Sequence, residues 1–118
     1  MVPIYRTDGE WVAVYEAGHL FNVDADWIGF LVGREVFDPQ GHYVGFLSDD
    51  RRLLRKRSPE GVPADRHPPP RPVSPRIPVS MPLAPMLRDL PYSLVDIFQE
   101  EPERFRYVSD TRPDMDGF

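Results

Sequence analysis

At 118 residues and a net charge of −5, the chain has room for one domain and lacks the basic surface of a general nucleic-acid binder. The absence of cysteine excludes a disulfide framework, a thiolate metal site and a thiol nucleophile. No apolar run is long enough to cross a bilayer and the N-terminus lacks a signal-peptide core, so a cytoplasmic protein with no membrane or nucleic-acid partner is expected.

Residues 4–56 carry a sixteen-residue pattern written three times and then begun again. Aligned at that offset, Tyr5, Phe21, Phe37 and Leu53 form one column of large apolar residues, and Trp11, Trp27 and Tyr43 form another. Val12, Ile28 and Val44 follow, then a small-residue column of Ala13, Gly29 and Gly45. Between the two aromatic columns lie polar turns: Asp8-Gly9, Asp24-Ala25-Asp26 and Pro39-Gln40-Gly41. Each unit therefore reads as a β-hairpin, since β-branched and aromatic residues flank a tight turn and the apolar spacing is not helical. Second turns are expected at Ala17-Gly18, Gly33-Arg34 and Asp49-Asp50. Simple alternation puts Trp11, Ala13 and Tyr15 on one face and Val12 and Val14 on the other, and likewise separates Trp27-Gly29-Leu31 from Ile28-Phe30. The column Ala13, Gly29 and Gly45 marks a close approach of backbones. Both faces are apolar, so neighbouring hairpins, the C-terminal segment or a second chain must cover one of them.

The repeated hairpin, the proline run after it and Ser93-Leu94-Val95-Asp96-Ile97-Phe98 together resemble the small bacterial "4-fold β-flower" proteins. The resemblance implies four hairpins set as petals about a pseudo-fourfold axis, and it brings no catalytic residues with it. The fourth petal departs from the pattern: Leu53 and Leu54 are kept, but Gly61-Val62-Pro63 stands where a second aromatic strand belongs. That petal is either a single strand or is completed by another segment, in this chain or a second one.

Eleven of the fifteen prolines lie between Pro59 and Pro91. Those at 69, 72, 75 and 78 form one ridge of a polyproline II helix, a stiff arm with about 3.1 Å rise per residue. Arg66-x-x-Pro69-x-x-Pro72 matches one orientation of a ligand for a proline-binding domain. The plainer reading is a spacer that lays the C-terminal segment on the β region of its own or a sister subunit, with Val73, Ile77, Val79, Met81 and Leu83 as anchors. Ser93 and Asp96 then read as a capping pair opening a short docking helix with an apolar stripe of Leu94, Ile97 and Phe98, ending by about residue 101 before Pro102. Residues 103–118 hold one apolar cluster, Phe105, Tyr107 and Val108, in an otherwise polar tail.

No metal or catalytic set assembles. His19, His42 and His67 lack ligand spacing; Asp8 and Asp24 are turn residues; Ser93 has no base nearby. The basic run Arg51–Arg57 is expected to pair with the acids between Asp96 and Glu103, and Trp11, Trp27 and Tyr43 are better core residues than a stacking platform. The fold expected is all-β: a pseudo-symmetric repeat of short hairpins, with a polyproline arm and one short C-terminal helix. Its segments are residues 1–57, 58–91, 92–101 and 102–118. The function expected is a non-enzymatic interaction or assembly module, without cofactors, that forms a homo-oligomer and has a protein partner through the arm. The alternative is a small-ligand-binding domain that uses the aromatic column Trp11, Trp27 and Tyr43.

Overall fold

A computed structural model describes residues 1–58 and 60–105. Eight antiparallel strands form one sheet in strict sequence order, each paired with the next. They are β1 (Val2–Tyr5), β2 (Trp11–Glu16), β3 (His19–Asn22), β4 (Trp27–Val32), β5 (Glu35–Phe37), β6 (Tyr43–Leu47), β7 (Leu53–Lys56) and β8 (Leu94–Asp96). The protein is all-β, as the repeat requires. A short helix α1 (Ile97–Glu100) follows β8.

Each petal turns in the same way. The first residue of a five-residue turn donates its N–H to the carbonyl of the fifth, in Arg6–Glu10 (2.8 Å), Asn22–Asp26 (2.9 Å) and Asp38–His42 (2.8 Å). The fourth residue takes a left-handed conformation, which Gly9 and Gly41 adopt freely and Ala25 adopts at some cost. Immediately after the turn a bulge recurs: Tyr5 pairs with Trp11 and Ile4 with Ala13, skipping Val12. Ile28 and Val44 are skipped in the same way. An extra residue in one strand reverses the side-chain alternation beyond it. This overturns the simple two-face reading. Trp27 shares a cluster with Phe30 and Val32, whereas Ile28 and Leu31 lie in the other.

The sheet therefore has two apolar bodies. The first gathers Ile4, Leu20 and Val36 with the bulge residues Ile28 and Val44, and it also receives Val95, Ile97 and Phe98 from the C-terminal segment. The second gathers Val14, Phe21, Trp27, Phe30 and Phe37, and the arm covers it with Ile77 and Met81. Large apolar side chains near zero exposure in both bodies supply most of the driving force, each contributing roughly 1.5–3 kcal/mol on burial.

The fourth petal breaks the period. Its entry turn lies at Asp49-Asp50 as expected and is closed over five residues, Ser48 N–H to Arg52 carbonyl at 2.9 Å. Its second strand comes from the far end of the arm: β8 pairs with β7 through Leu54–Asp96, Arg55–Val95 and Lys56–Leu94. The petal is completed within the chain.

The helix reading needs correcting at its start. Leu94 belongs to β8 and not to a helical stripe, and Asp96, not Ser93, is the N-cap, accepting from the Phe98 N–H at 3.0 Å. Ser93 instead accepts from the Arg57 N–H through its carbonyl, which holds it in register with the strand. Residues 102–105 are helical, and Phe105 is buried against Phe98 with ring centroids 4.3 Å apart, so the polar tail does not begin at Pro102. Tyr107 and Val108 lie outside the described residues.

Candidate functional site

The arm-covered face and the seam where the last petal meets the first are the two places where side chains from distant segments converge.

The small-residue column sits where strands crowd. A Cβ on Gly29 would fall 2.5 Å from the Phe37 carbonyl oxygen, and one on Gly45 would fall 2.3 Å from that of Leu54. Ala13 carries its methyl at zero exposure. In the aromatic column, Trp27 is buried and Trp11 and Tyr43 are half-buried, all packed with the second cluster. The Trp11 indole donates to the Ala13 carbonyl at 2.8 Å. Burial pushes Tyr43 up to about 12, helped by its hydrogen bond to the Glu35 carboxylate and by that charge, so it stays a neutral donor. The Trp27 indole nitrogen is buried without a hydrogen-bond partner. The rings are wall and floor of the core and present no open stack.

Along the arm, burial repeats every third residue, as three residues per turn demand. Pro69, Pro72, Pro75, Met81, Ala84, Leu87 and Leu90 are partly covered and share one ridge. That ridge slips once, at Pro78, where Ile77 turns in instead. Polar contacts pin the arm down, among them Arg66 N–H to the Gly41 carbonyl at 2.8 Å and the Tyr5 hydroxyl to the Pro82 carbonyl at 2.6 Å. The arm thus lies on its own sheet. Of the five anchors expected, only Ile77 and Met81 dock; Val73, Val79 and Leu83 are at least 92% exposed. The prolines of Arg66-x-x-Pro69-x-x-Pro72 belong to the covered ridge, and Arg66 is itself held at Gly41.

Where the first stretch of arm crosses the β2–β3 turn it leaves an open groove of about 750 Å³, lined by His19, Phe30, Val32, Arg66 and His67. The His19 ring meets Trp27 edge-on at 5.9 Å, and its Nδ1 is buried without a partner. His42 instead pairs with Asp65 at 3.0 Å. Among the described residues no group of three or more His, Asp or Glu is placed to hold a metal ion.

The seam is polar and buried. Asp96, 3% exposed, accepts from the Thr7 N–H at 2.7 Å and the Thr7 hydroxyl at 2.6 Å, while its other oxygen caps α1. The Thr7 oxygen also accepts from Arg52 at 3.2 Å. Arg52 is buried in the repeat column of Ile4, Leu20 and Val36, and Asp50 pairs with it at 2.6 Å. A charge replaces an apolar side chain at the one joint that the repeat cannot make with itself. Nothing in the sequence flagged this cluster, although the arginine in an apolar column was visible.

Burial pushes Asp50 up, but hydrogen bonds from Arg52 and Ser48, with the Arg52 charge, together hold it below its ordinary value. A depressed carboxylate stabilises the fold above its unfolded pKa, and that contribution is lost as pH falls through the folded one. The gap in urea midpoint between the native chain and Asp50→Asn is therefore expected to close below about pH 4, the ordinary carboxylate range. A gap that stays constant from pH 7 to pH 3 would show that the pair does no such work.

The basic run and the acidic segment do meet, with Arg55 2.7 Å from Glu101, and Arg104 bridges Glu101 at 2.9 Å and Asp38 at 3.7 Å. Arg57 turns the other way, stacking its guanidinium 4.3 Å from the Tyr92 ring centroid.

A family model described as 4-fold beta flower protein matches residues 2–94, which takes in the repeat, the arm and the start of β8. Neither a curated protein nor a solved structure matches the chain. No helix among the described residues is long and apolar enough to cross a membrane.

Proposed function

The chain belongs to the 4-fold beta flower protein family, and on that premise we propose that it is a non-enzymatic interaction and assembly module of the cytoplasm that works as a homo-oligomer. The observation that carries this reading is the arm. Its covered ridge fixes a long segment against the sheet, and the side chains left outward include Val73, Val79, Leu83 and Met86, all at least 92% exposed. Exposed apolar side chains that stand together mark contacts with other macromolecules, and Leu83 and Met86 stand together beside one groove. Four polar side chains support the same reading, because they are spent on structure. Asn22, Asp38 and Ser48 bond the backbone of their own turns, and Asp96 caps the helix and closes the seam. A small-ligand role for the aromatic column has less support, since the Trp27 ring is core and the Trp11 and Tyr43 polar atoms already have partners.

Light scattering on the full chain at tens of micromolar is the direct measurement. More than one chain per particle is expected. A monomer at every concentration would end the proposal.

A further inference from the structure

We infer that two copies of this chain pair through one face, built from the outward ridge of the arm's second half and the groove beside it. The inference rests on the reading that the chain assembles with itself, and it names the surface.

Past residue 79 the arm packs Met81 on the sheet, leaves Ala84 and Leu87 partly covered, and sets Leu83 and Met86 outward on a single ridge, 95% and 93% exposed. The Tyr5 hydroxyl grips the Pro82 carbonyl at 2.6 Å, so the ridge is held in place and not trailing in solvent. Directly beside it runs an open groove of about 810 Å³ between the arm and the β6–β7 turn. Leu83 and Met86 stand on its rim, Leu54 and Leu94 are among its apolar lining, and Asp49, Arg51, Arg88 and Asp89 supply both signs of charge. The side chains of Arg51, Arg88 and Asp89 make no ion pair with other described residues.

A protruding apolar ridge and a receiving groove on the same face, edged by charges of both signs, are what a twofold contact needs. Each copy offers the ridge and accepts the other's. Each wall of the groove carries both signs, Asp49 with Arg51 on the turn and Arg88 with Asp89 on the arm, so a twofold rotation can set acid against base on both sides of the contact, where a foreign partner would need a matched pattern of its own. The arrangement also loses little conformational entropy on pairing, because the arm is already extended and pinned.

Sedimentation of the full chain tests this, using Leu83→Ser with Met86→Ser. Both side chains face solvent in the isolated chain, so the double variant leaves its packing intact. The native chain is expected to sediment as a dimer, and the variant to weaken dimerisation at least tenfold with an unchanged far-ultraviolet spectrum. As a second readout, Met86→Cys in this cysteine-free chain is expected to cross-link to a second copy on mild oxidation far faster than a Val23→Cys control. An oligomer that the double variant leaves intact would overturn this surface and spare the assembly reading. A monomeric native chain, including one whose ridge is taken by a different protein, would overturn both.

Discussion

Asp96→Ala is expected to lower the stability of the chain by roughly 3–5 kcal/mol, the combined cost of the buried donors it leaves without an acceptor. Three donors lose their acceptor at once: the Thr7 N–H, the Thr7 hydroxyl and the Phe98 N–H. Each buried donor left unpaired costs about 1–3 kcal/mol. The Thr7 hydroxyl can reorient, because its oxygen also accepts from Arg52, but the two backbone N–H groups cannot move without carrying the first turn and α1 with them. Against a total stability of the usual 5–15 kcal/mol, such a loss takes away much of the margin. Urea denaturation followed by tryptophan fluorescence measures it, since Trp11 and Trp27 report on the first two petals. Asp96→Asn, which keeps the shape and at least one acceptor, should lose markedly less. A loss under about 1 kcal/mol for the alanine variant would mean that the seam does not hold the sheet closed.

Gly41→Ala should release the first stretch of the arm. Gly41 has φ +93°, so any Cβ there is strained, and this Cβ would also fall 1.8 Å from the Arg66 carbonyl oxygen. The carbonyl of the same residue accepts the Arg66 N–H, so the new Cβ stands as an obstacle at an anchor and pushes the arm off it. Gly9 is a matched control, with φ +90° in the equivalent turn and nothing within 4 Å of its Cβ position. Gly9→Ala is expected to show only the cost of left-handed alanine, about 1–2 kcal/mol. Gly41→Ala adds the lost contact, and its readout is local: tryptic cleavage after Arg66 and Arg76 should speed up at least tenfold relative to Gly9→Ala. Equal cleavage in the two variants would show that the arm is not held at this point.

The hairpins were legible because their signal repeats: residues at sixteen-residue spacing do the same job in β2, β4 and β6, and turns at Asp8-Gly9 and Gln40-Gly41 announce themselves. The bulges were not legible. Val12, Ile28 and Val44 differ from ordinary strand residues only in having no cross-strand partner, which is a property of pairing and leaves no mark on side-chain type. The last petal misled for a related reason. Leu94, Ile97 and Phe98 satisfy helical spacing, and only the unpaired edge of β7 turns Leu94 into a strand residue. The arm's period of three was plain, but which ridge would face the sheet was not, since prolines suit either side. At the seam, Arg52 could be seen to break an apolar column, yet the Thr7 and Asp96 that answer it lie 45 residues earlier and 44 later in the chain.

The reach of the Thr7–Asp96 bond, 89 residues, has a consequence for how the molecule comes into being. Residues 1–47 hold three complete petals in which each strand pairs with the next in sequence, so they can fold as the chain leaves the ribosome. Their closing partner is not yet made. At about 5–20 residues per second, several seconds separate the appearance of β6 from that of β8. Throughout that interval the newborn chain shows an unpaired strand edge and an uncovered apolar face. The proline-rich stretch emerges during those same seconds, when the aromatic face it will cover is already formed.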